Sequence, residues 1–392
     1  MHGDGCATVV ASAIRVLGER LVLVGTTSDT QRHPVGKWSR TRLFGRQCDF
    51  FPVMSADDLD TKYVKNLSFT LNVIRHWGTI TDHASETVLT QNYAMMWWLA
   101  ISAGFRRKVF YLPGMANQIL IGRKPRLGRL LAKLYQWIQI SGIRKMDLVV
   151  AAASVDQIDA FSREWADQLG QKRIHQLPTS VDVDFFKPLA KAELRHRYDL
   201  SADEVYFVCV GRLAKVKGID FLIDAMRIFV DRYHPASLLV VGDGEEADEL
   251  RRHATDAGLT DRIRFLGSVQ PTGVRDLVNC ADVCVVGSHT EGFSCAMVEQ
   301  IACGRPLVST DVSGAAEIIE DGESGFILRE RDPGSFAQAM HEALRLTDAG
   351  AKSREIAVTR YSERAIWRRF LELLENSGSA DTSSAGAEPR ES

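Results

Sequence analysis

Hydrophobic positions in the second half of the chain fall into two alternating rhythms. Short, nearly continuous apolar runs rich in Val, Phe and Ile occur at Val205–Val210, Leu238–Val241, Arg262–Phe265, Asp282–Val286 and Pro306–Ser309. Between them apolar residues recur at helical spacing. Phe221, Leu222, Ala225, Met226 and Phe229 share one helical face, and Leu277, Val278 and Ala281 end another. Strand and helix alternating at this pitch predict βαβ units and a parallel sheet. The unbroken apolar character of the strands agrees, because such a sheet is covered on both faces.

The first half is less regular. A helix is expected over Ala7–Leu17 and strands at Leu21–Val24, Thr87–Thr90, Val109–Leu112 and Asp147–Ala151, enough for a second α/β unit. The longest apolar run, Tyr93–Phe105, has 13 residues. That falls short of the roughly 18 that a membrane helix needs, so it reads as a buried or interfacial helix. Pro178–Pro188, with two prolines and turn residues, reads as a connector. The resulting division is an N-terminal domain over 1–188, a C-terminal domain over 189–360 and a helix over 361–375. Residues 376–392 hold no large apolar side chain. They are expected to be disordered, since they cannot bury enough surface to offset the entropy of ordering.

Composition changes this picture only when it is divided between the halves. At 392 residues, 45% hydrophobic and 25% charged, the chain has the balance of a folded protein with a sizeable core. Disordered, collagen-like and membrane-spanning classes are excluded on that balance. Net charge is −2 overall. Residues 1–188 carry 24 Lys and Arg against 16 Asp and Glu, a balance of +8, while residues 189–392 carry 24 against 34, a balance of −10. Two domains with different electrostatic tasks would produce such a split. Seven cysteines, without a C-x-x-C pair, read as buried reduced thiols of a cytosolic protein. Met1–Gly5 shows neither the basic nor the apolar region of a signal peptide.

Candidate chemistry gathers in the C-terminal half. After the strand ending at Val210 comes a cationic loop, Gly211-Arg212-Leu213-Ala214-Lys215-Val216-Lys217-Gly218. The carboxyl end of a strand in an open α/β sheet is where anions bind. Arg212 offers a fork for two phosphate oxygens and Lys217 a compact charge. Val240-Val241-Gly242-Asp243-Gly244 is a second strand closed by a glycine turn. Thr290-Glu291-Gly292-Phe293-Ser294-Cys295-Ala296-Met297-Val298-Glu299 puts one carboxylate in a loop and another about a turn and a half into a helix that starts near Ser294. Backbone N–H groups at such a helix start attract anions. Two carboxylates so placed suit two parts of a long ligand better than a paired acid and base. Gly304-Arg305-Pro306-Leu307-Val308-Ser309-Thr310-Asp311, continuing to Gly314 and Glu317, reads as helix end, strand, glycine turn and helix. Taken singly, each piece also fits a solvated loop, a capping carboxylate or a surface helix.

In order and spacing the four features resemble the C-terminal domain of retaining, nucleotide-sugar-dependent glycosyltransferases of the GT-B fold, of the family 4 or group 1 type. The resemblance covers Val205–Leu328 and, in the connector, Leu177–Pro188. It implies an α/β protein of two Rossmann-like domains facing a cleft, with 1–188 on the acceptor side, 189–360 holding the nucleotide-sugar and the helix over 361–375 crossing back. It implies a catalytic set of Arg212 and Lys217 on the donor diphosphate and Glu291 near the transferred sugar. Glu299 then accepts the ribose hydroxyls, the backbone of Gly292, Phe293, Ser294 and Cys295 wraps sugar and phosphate, and the segment from Leu266 to Val269 reads the nucleobase. The implied reaction moves a sugar from a UDP- or GDP-sugar to a lipid-linked or polysaccharide acceptor. No cofactor and no metal is expected, because two cations and a helix start suffice to neutralise a leaving diphosphate. The same fold leaves open a nucleotide-sugar epimerase and a non-catalytic scaffold in a polysaccharide assembly complex.

Several residues depart from that pattern or distract from it. Asp182-Val183-Asp184 has the D-x-D form of a metal site but lies in the connector and reads as structural. In the family a glycine-rich loop after the first strand approaches the donor phosphates. Here Gly3-Asp4-Gly5-Cys6 leads straight into the first helix, which makes Gly5 a donor-site candidate and leaves two readings open, a mis-assigned start or a sheet without its central strand. Pro113 stands where many members have His, and neither His76 nor His83 is spaced to replace it. Arg123, Lys124, Arg126, Arg129 and Lys133 accompany Leu127, Leu130, Leu131, Leu134 and Trp137, which share a helical face. Such a basic amphipathic helix reads as a surface for anionic membrane and acceptor. No nucleic-acid module is recognised. The expected location is cytoplasmic, peripheral on the inner face of the cell membrane.

Overall fold

The computed structural model describes residues 5–57, 62–112, 137 and 139–379. They form two units, one made of Met1–Pro178 with Ile366–Ser392 and the other of Thr179–Ala365.

In the first unit the helix Gly5–Leu17 leads into β1 (Val22–Thr27). β2 (Ser39–Leu43) and β3 (Arg46–Ser55) form an antiparallel hairpin, and β3 pairs in parallel with β1. The hairpin escapes the hydrophobic pattern because β2 is polar, with Arg40 and Arg42 among its five residues. β4 (Thr87–Thr90), β5 (Arg107–Leu112), β6 (Leu148–Ala151) and β7 (Ile174–Gln176) make a separate parallel sheet in that order. Among the described residues no strand joins β1 to β4. Both sheets still feed one core, where Phe51 and Val53 of β3 meet Phe110 and Leu112 of β5. The apolar run after β4 is a core helix, Tyr93–Ile101, that buries Met95, Met96 and Leu99. Asn92 caps it by accepting from the N–H groups of Ala94 and Met95.

The last helix, Glu363–Ser379, gives Ile366, Trp367 and Phe370 to a core with Ala13, Val109, Tyr111 and Leu148. Trp367 Nε1 donates to Ser12 Oγ at 2.9 Å. This helix continues past 375, so 376–379 are helical rather than disordered. Extending a formed helix adds a hydrogen bond for each residue fixed, and Ser377 Oγ donates to the Leu374 carbonyl at 2.8 Å. Residues 380–392 lie outside the described residues.

In the second unit six parallel strands, β8 (Val205–Val210), β9 (Ala236–Val241), β10 (Ile263–Phe265), β11 (Val283–Val286), β12 (Leu307–Thr310) and β13 (Gly325–Leu328), lie in the order β10-β9-β8-β11-β12-β13. Successive residues of a strand point to opposite faces. Tyr206, Val208, Leu239 and Cys284 therefore enter one core, and Phe207, Cys209, Leu238, Val240 and Val285 enter the other. The helix Ile219–Arg232 buries Phe221, Leu222, Ala225, Met226 and Phe229 on the second face. The strand order reverses between β8 and β11. Loops leaving the carboxyl ends of two such strands part to opposite faces and open a crevice where ligands bind.

The chain divides at 178/179, ten residues before the boundary read from the connector. Residues 179–188 are bonded into the second unit. Val181 N donates to Tyr361 O at 2.9 Å, Glu363 N to Val181 O at 3.1 Å, and Arg354 reaches the carbonyls of Val183 and Phe186 at 2.8 Å each. Residues 361–365 stay with this unit for the same reason. Cys48, Cys209, Cys280, Cys284 and Cys303 are buried free thiols. Burial pushes Cys209 and Cys303 up to about 12.

Candidate functional site

Three loops leave the carboxyl ends of β8, β9 and β10 laced together. Gly211 N donates to Val241 O and Leu213 N to Asp243 O, each at 3.0 Å. Gly242 has φ +141°, and a Cβ there would overlap the Gly211 carbonyl, so this close approach needs glycine. Gly242 N donates to Gly267 O and Leu266 N to Val240 O, each at 2.9 Å. Leu266 and Val269 are thereby seated beside the same strand ends, Leu266 exposed and Val269 packed on the core's edge.

The loops after β8 and β11 meet across the switch point. Gly218 adopts the left-handed conformation (φ 58°) as it opens the helix Ile219–Arg232, and a Cβ there would run into the Gly287 carbonyl. His289 N donates to Val216 O at 2.8 Å. This contact brings Lys217 onto Glu291, with Nζ 2.7 and 2.8 Å from the two carboxylate oxygens. Ser288 Oγ donates to Glu291 Oε1 at 2.7 Å. The Glu291 side chain is 9% exposed and that of Lys217 28%. Arg212 is 71% exposed and pairs with Glu245 at 2.9 Å. Both cations expected on a diphosphate are therefore held by carboxylates.

The β11 loop then enters the helix Cys295–Ala302. Ser294 is its N-cap, but its side chain makes no capping hydrogen bond. The stretch Gly292–Ser294 is held from three sides. Thr179 Oγ1 donates to Phe293 O at 3.1 Å, Ser313 Oγ donates to Gly292 O, and the Phe293 ring packs against Gly314 and lies 5.6 Å from Tyr361. Burial pushes the Cys295 thiol up to about 11, so it is neutral. Further along the helix, burial pushes the Glu299 carboxyl up to about 7. A half-buried carboxyl so placed is suited to accept hydroxyl groups from a ligand, because such hydrogen bonds favour its charged form.

Residues 204–345 match the model of the family described as Glycosyl transferases group 1. This stretch lies within the second unit and is similar to the group 1 glycosyl transferases. The chain is 32% identical over 219 residues to a D-inositol 3-phosphate glycosyltransferase of Acidothermus cellulolyticus, covering 52% of this chain and 48% of that protein. It is 30% identical over 220 residues to a GDP-mannose-dependent alpha-(1-6)-phosphatidylinositol monomannoside mannosyltransferase of Mycobacterium tuberculosis, covering 53% and 57%. The chain thus spans about half the length of the curated relatives it matches. Sucrose-phosphate synthase from Thermosynechococcus elongatus has a similar structure, with a TM-score of 0.73 at 20% identity over 96% of this chain and 94% of that one. The likeness shows the fold, two Rossmann-like domains of the GT-B architecture.

Within the second unit the strand ends bring together Arg212, Lys217, Glu291, Gly292, Phe293, Ser294, Cys295, Glu299, Leu266 and Val269. Gly5 begins the first helix of the other unit. Pro113, Arg123, Lys124, Arg126, Arg129 and Lys133 lie outside the described residues. Thr179, Ser313 and Glu245 were not expected at the site, since nothing in their local pattern links them to loops that far along the chain. Asp182 serves its own turn, accepting from the N–H groups of Asp184 and Phe185 at 3.1 Å each. His83 pairs with Asp49 at 3.1 Å and stacks on Trp38 at 4.0 Å, and His76 lies edge-on to Phe51. Among the described residues no helix is long and apolar enough to cross a membrane.

Proposed function

We propose that the protein transfers a sugar, with retained anomeric configuration, from a UDP- or GDP-sugar to a lipid-linked or glycan acceptor. The observation that carries this reading is the meeting of Lys217, Glu291 and the start of the helix Cys295–Ala302 at one switch point of the second unit. Breaking the sugar–phosphate bond moves negative charge onto the leaving nucleoside diphosphate. Positive charge fixed at that place stabilises the transition state more than the ground state. Lys217 supplies a point charge, Arg212 a two-pronged one, and the helix start adds N–H donors. Losing one such donor costs about 2.7–4 kcal/mol of transition-state stabilisation.

On this reading the donor diphosphate takes Lys217 from Glu291, which is left beside the transferred sugar, while Glu299 accepts the ribose hydroxyls. The bond between the sugar carbon and the phosphate oxygen breaks. The acceptor oxygen bonds to that carbon on the same face, and its proton passes to the leaving phosphate. That route asks for no base at Pro113. It also leaves neutralisation of the leaving group to protein cations, so we assign no role to a metal. The names of the relatives support an acceptor carried on lipid, since one of them acts on a phosphatidylinositol monomannoside. The basic stretch from Arg123 to Lys133 is assigned to an anionic membrane surface on the cytoplasmic side, at roughly 1 kcal/mol per cation. Trp137, four residues beyond that stretch, is 54% exposed.

The test is release of nucleoside diphosphate from a panel of UDP-, GDP- and ADP-sugars, with and without a lipid extract as acceptor. Release of UDP or GDP that depends on the extract is expected. Isomerised donor without release would replace the transferase with an epimerase, and nucleotide binding without turnover would replace it with a scaffold.

A further inference from the structure

Arg331 follows β13 and is absent from the set of residues that the family resemblance implies. Its Nη1 donates to the carbonyls of Gly287 at 2.6 Å and Ser288 at 3.0 Å. Its guanidinium lies over the Phe221 ring, 4.4 Å from the centroid. Phe221 is a firm platform, buried in the first turn of the helix Ile219–Arg232 and edge-on to Phe336 at 5.2 Å. Nη2 borders Gly218, where a Cβ would stand 2.7 Å from it. Thr310 Oγ1 donates to the same Ser288 carbonyl at 2.7 Å.

Arg331 therefore touches both loops of the switch point, at Gly218 on one and at Gly287 and Ser288 on the other. Lys217 immediately precedes Gly218. Ser288 carries the hydroxyl that holds Glu291. A planar, permanently charged fork that stacks on an aromatic face while donating to two carbonyls is a task for arginine.

We infer that Arg331 is a positioning residue that clamps the two loops and so holds Lys217 and Glu291 in register for a donor diphosphate. The inference rests on the donor-site reading above for the identity of the ligand, and on the geometry alone for the clamp.

The experiment uses the full chain with Arg331→Gln, and Thr310→Val as a second variant that loosens the same carbonyl without touching the charge. Amide hydrogen exchange tests the clamp by itself. Exchange about tenfold faster at 216–218 and 287–291, with the strands of the unit unchanged, is expected on losing a charged hydrogen bond. Unchanged protection of both segments in both variants would overturn the clamp. Titration with UDP and GDP against uridine and guanosine tests what the clamp is for. Arg331→Gln should weaken the diphosphates about tenfold and leave the nucleosides within twofold. In a Lys217→Ala background the same substitution should add less than twofold, since residues acting through one another are not additive. Equal weakening of nucleoside and diphosphate, or full additivity with Lys217→Ala, would overturn the positioning role. A parent chain that binds neither diphosphate would count against the donor reading, with exchange still deciding the clamp. Should Arg331→Gln fail to fold, Thr310→Val carries the same comparisons.

Discussion

Lys217 Nζ lies 2.7 and 2.8 Å from the two carboxylate oxygens of Glu291, a residue 74 positions away in sequence. On the proposed reading, the carboxylate occupies the place on the ammonium that a donor phosphate would take. Replacing Lys217 with Ala is expected to lower turnover about 10²–10³-fold. It should also cost up to about 3 kcal/mol of stability, because Glu291 is left mostly buried without its partner. Glu291→Gln should behave differently. With Lys217 released, UDP or GDP binds as tightly as before or more so, while turnover falls. Calorimetric titration beside steady-state rates separates the two outcomes. Loss of affinity in step with turnover would mean that Glu291 acts only by holding the lysine.

On the proposed donor reading, Glu299 makes nucleotide binding depend on pH. Its carboxyl is pushed up to about 7 from an ordinary 4.5 by burial. Between those values the folded chain keeps a proton that the unfolded chain has lost, so stability falls as pH rises through this window and stays lower above it. Glu299→Gln is neutral throughout. Its unfolding free energy should match the parent near pH 4 and exceed it by up to about 3 kcal/mol above pH 7. Ribose hydroxyls favour the charged carboxylate, so nucleotide affinity should climb from pH 6 to pH 8 in the parent and stay flat in the variant. Denaturant unfolding and nucleotide titration at pH 5, 6, 7 and 8 check both.

On the same reading, Arg212 leaves Glu245 to reach the diphosphate. The pair is exposed on both sides, 71% and 52%, and exposed pairs contribute little. Glu245→Ala is therefore expected to tighten UDP or GDP up to about fivefold. Affinity that does not move would show that Arg212 contributes nothing to the diphosphate.

Charge reversal at Arg123, Lys124, Arg126 and Arg129 is expected to release the protein from anionic vesicles and leave nucleotide binding unchanged. Each lost cation removes roughly 1 kcal/mol of attraction at such a surface. Pelleting with phosphatidylserine vesicles that is indifferent to the change would remove the membrane assignment.

Much of the second unit was legible because its signals are local. β8 coincides with its apolar run, and β9 to β12 lie within two residues of theirs. Their continuous hydrophobicity follows from coverage on both faces. β13 was missed, as a short strand opened by Gly325 and only half-buried elsewhere. In the first unit the β2–β3 hairpin was hidden by arginines on its exposed face, and the last helix ran four residues further than its apolar pattern required. At the site, the glycine turns and the residues flanking them were readable. Thr179 and Arg331 were not, because they act on carbonyls 114 and 44 residues away.

The sequence by itself determined the rhythm of strands and helices, the order of the glycine-closed loops and the residue types available at each strand end, since periodicity and turn chemistry depend on neighbours along the chain. Only the tertiary structure decided which strand ends adjoin. Placing β11 beside β8 rather than beside β10 is what sets Glu291 on Lys217, brings Arg331 across both loops and buries Glu299 enough to raise its pKa. Those contacts depend on sheet order and burial, which are properties of the packed chain and have no local signature.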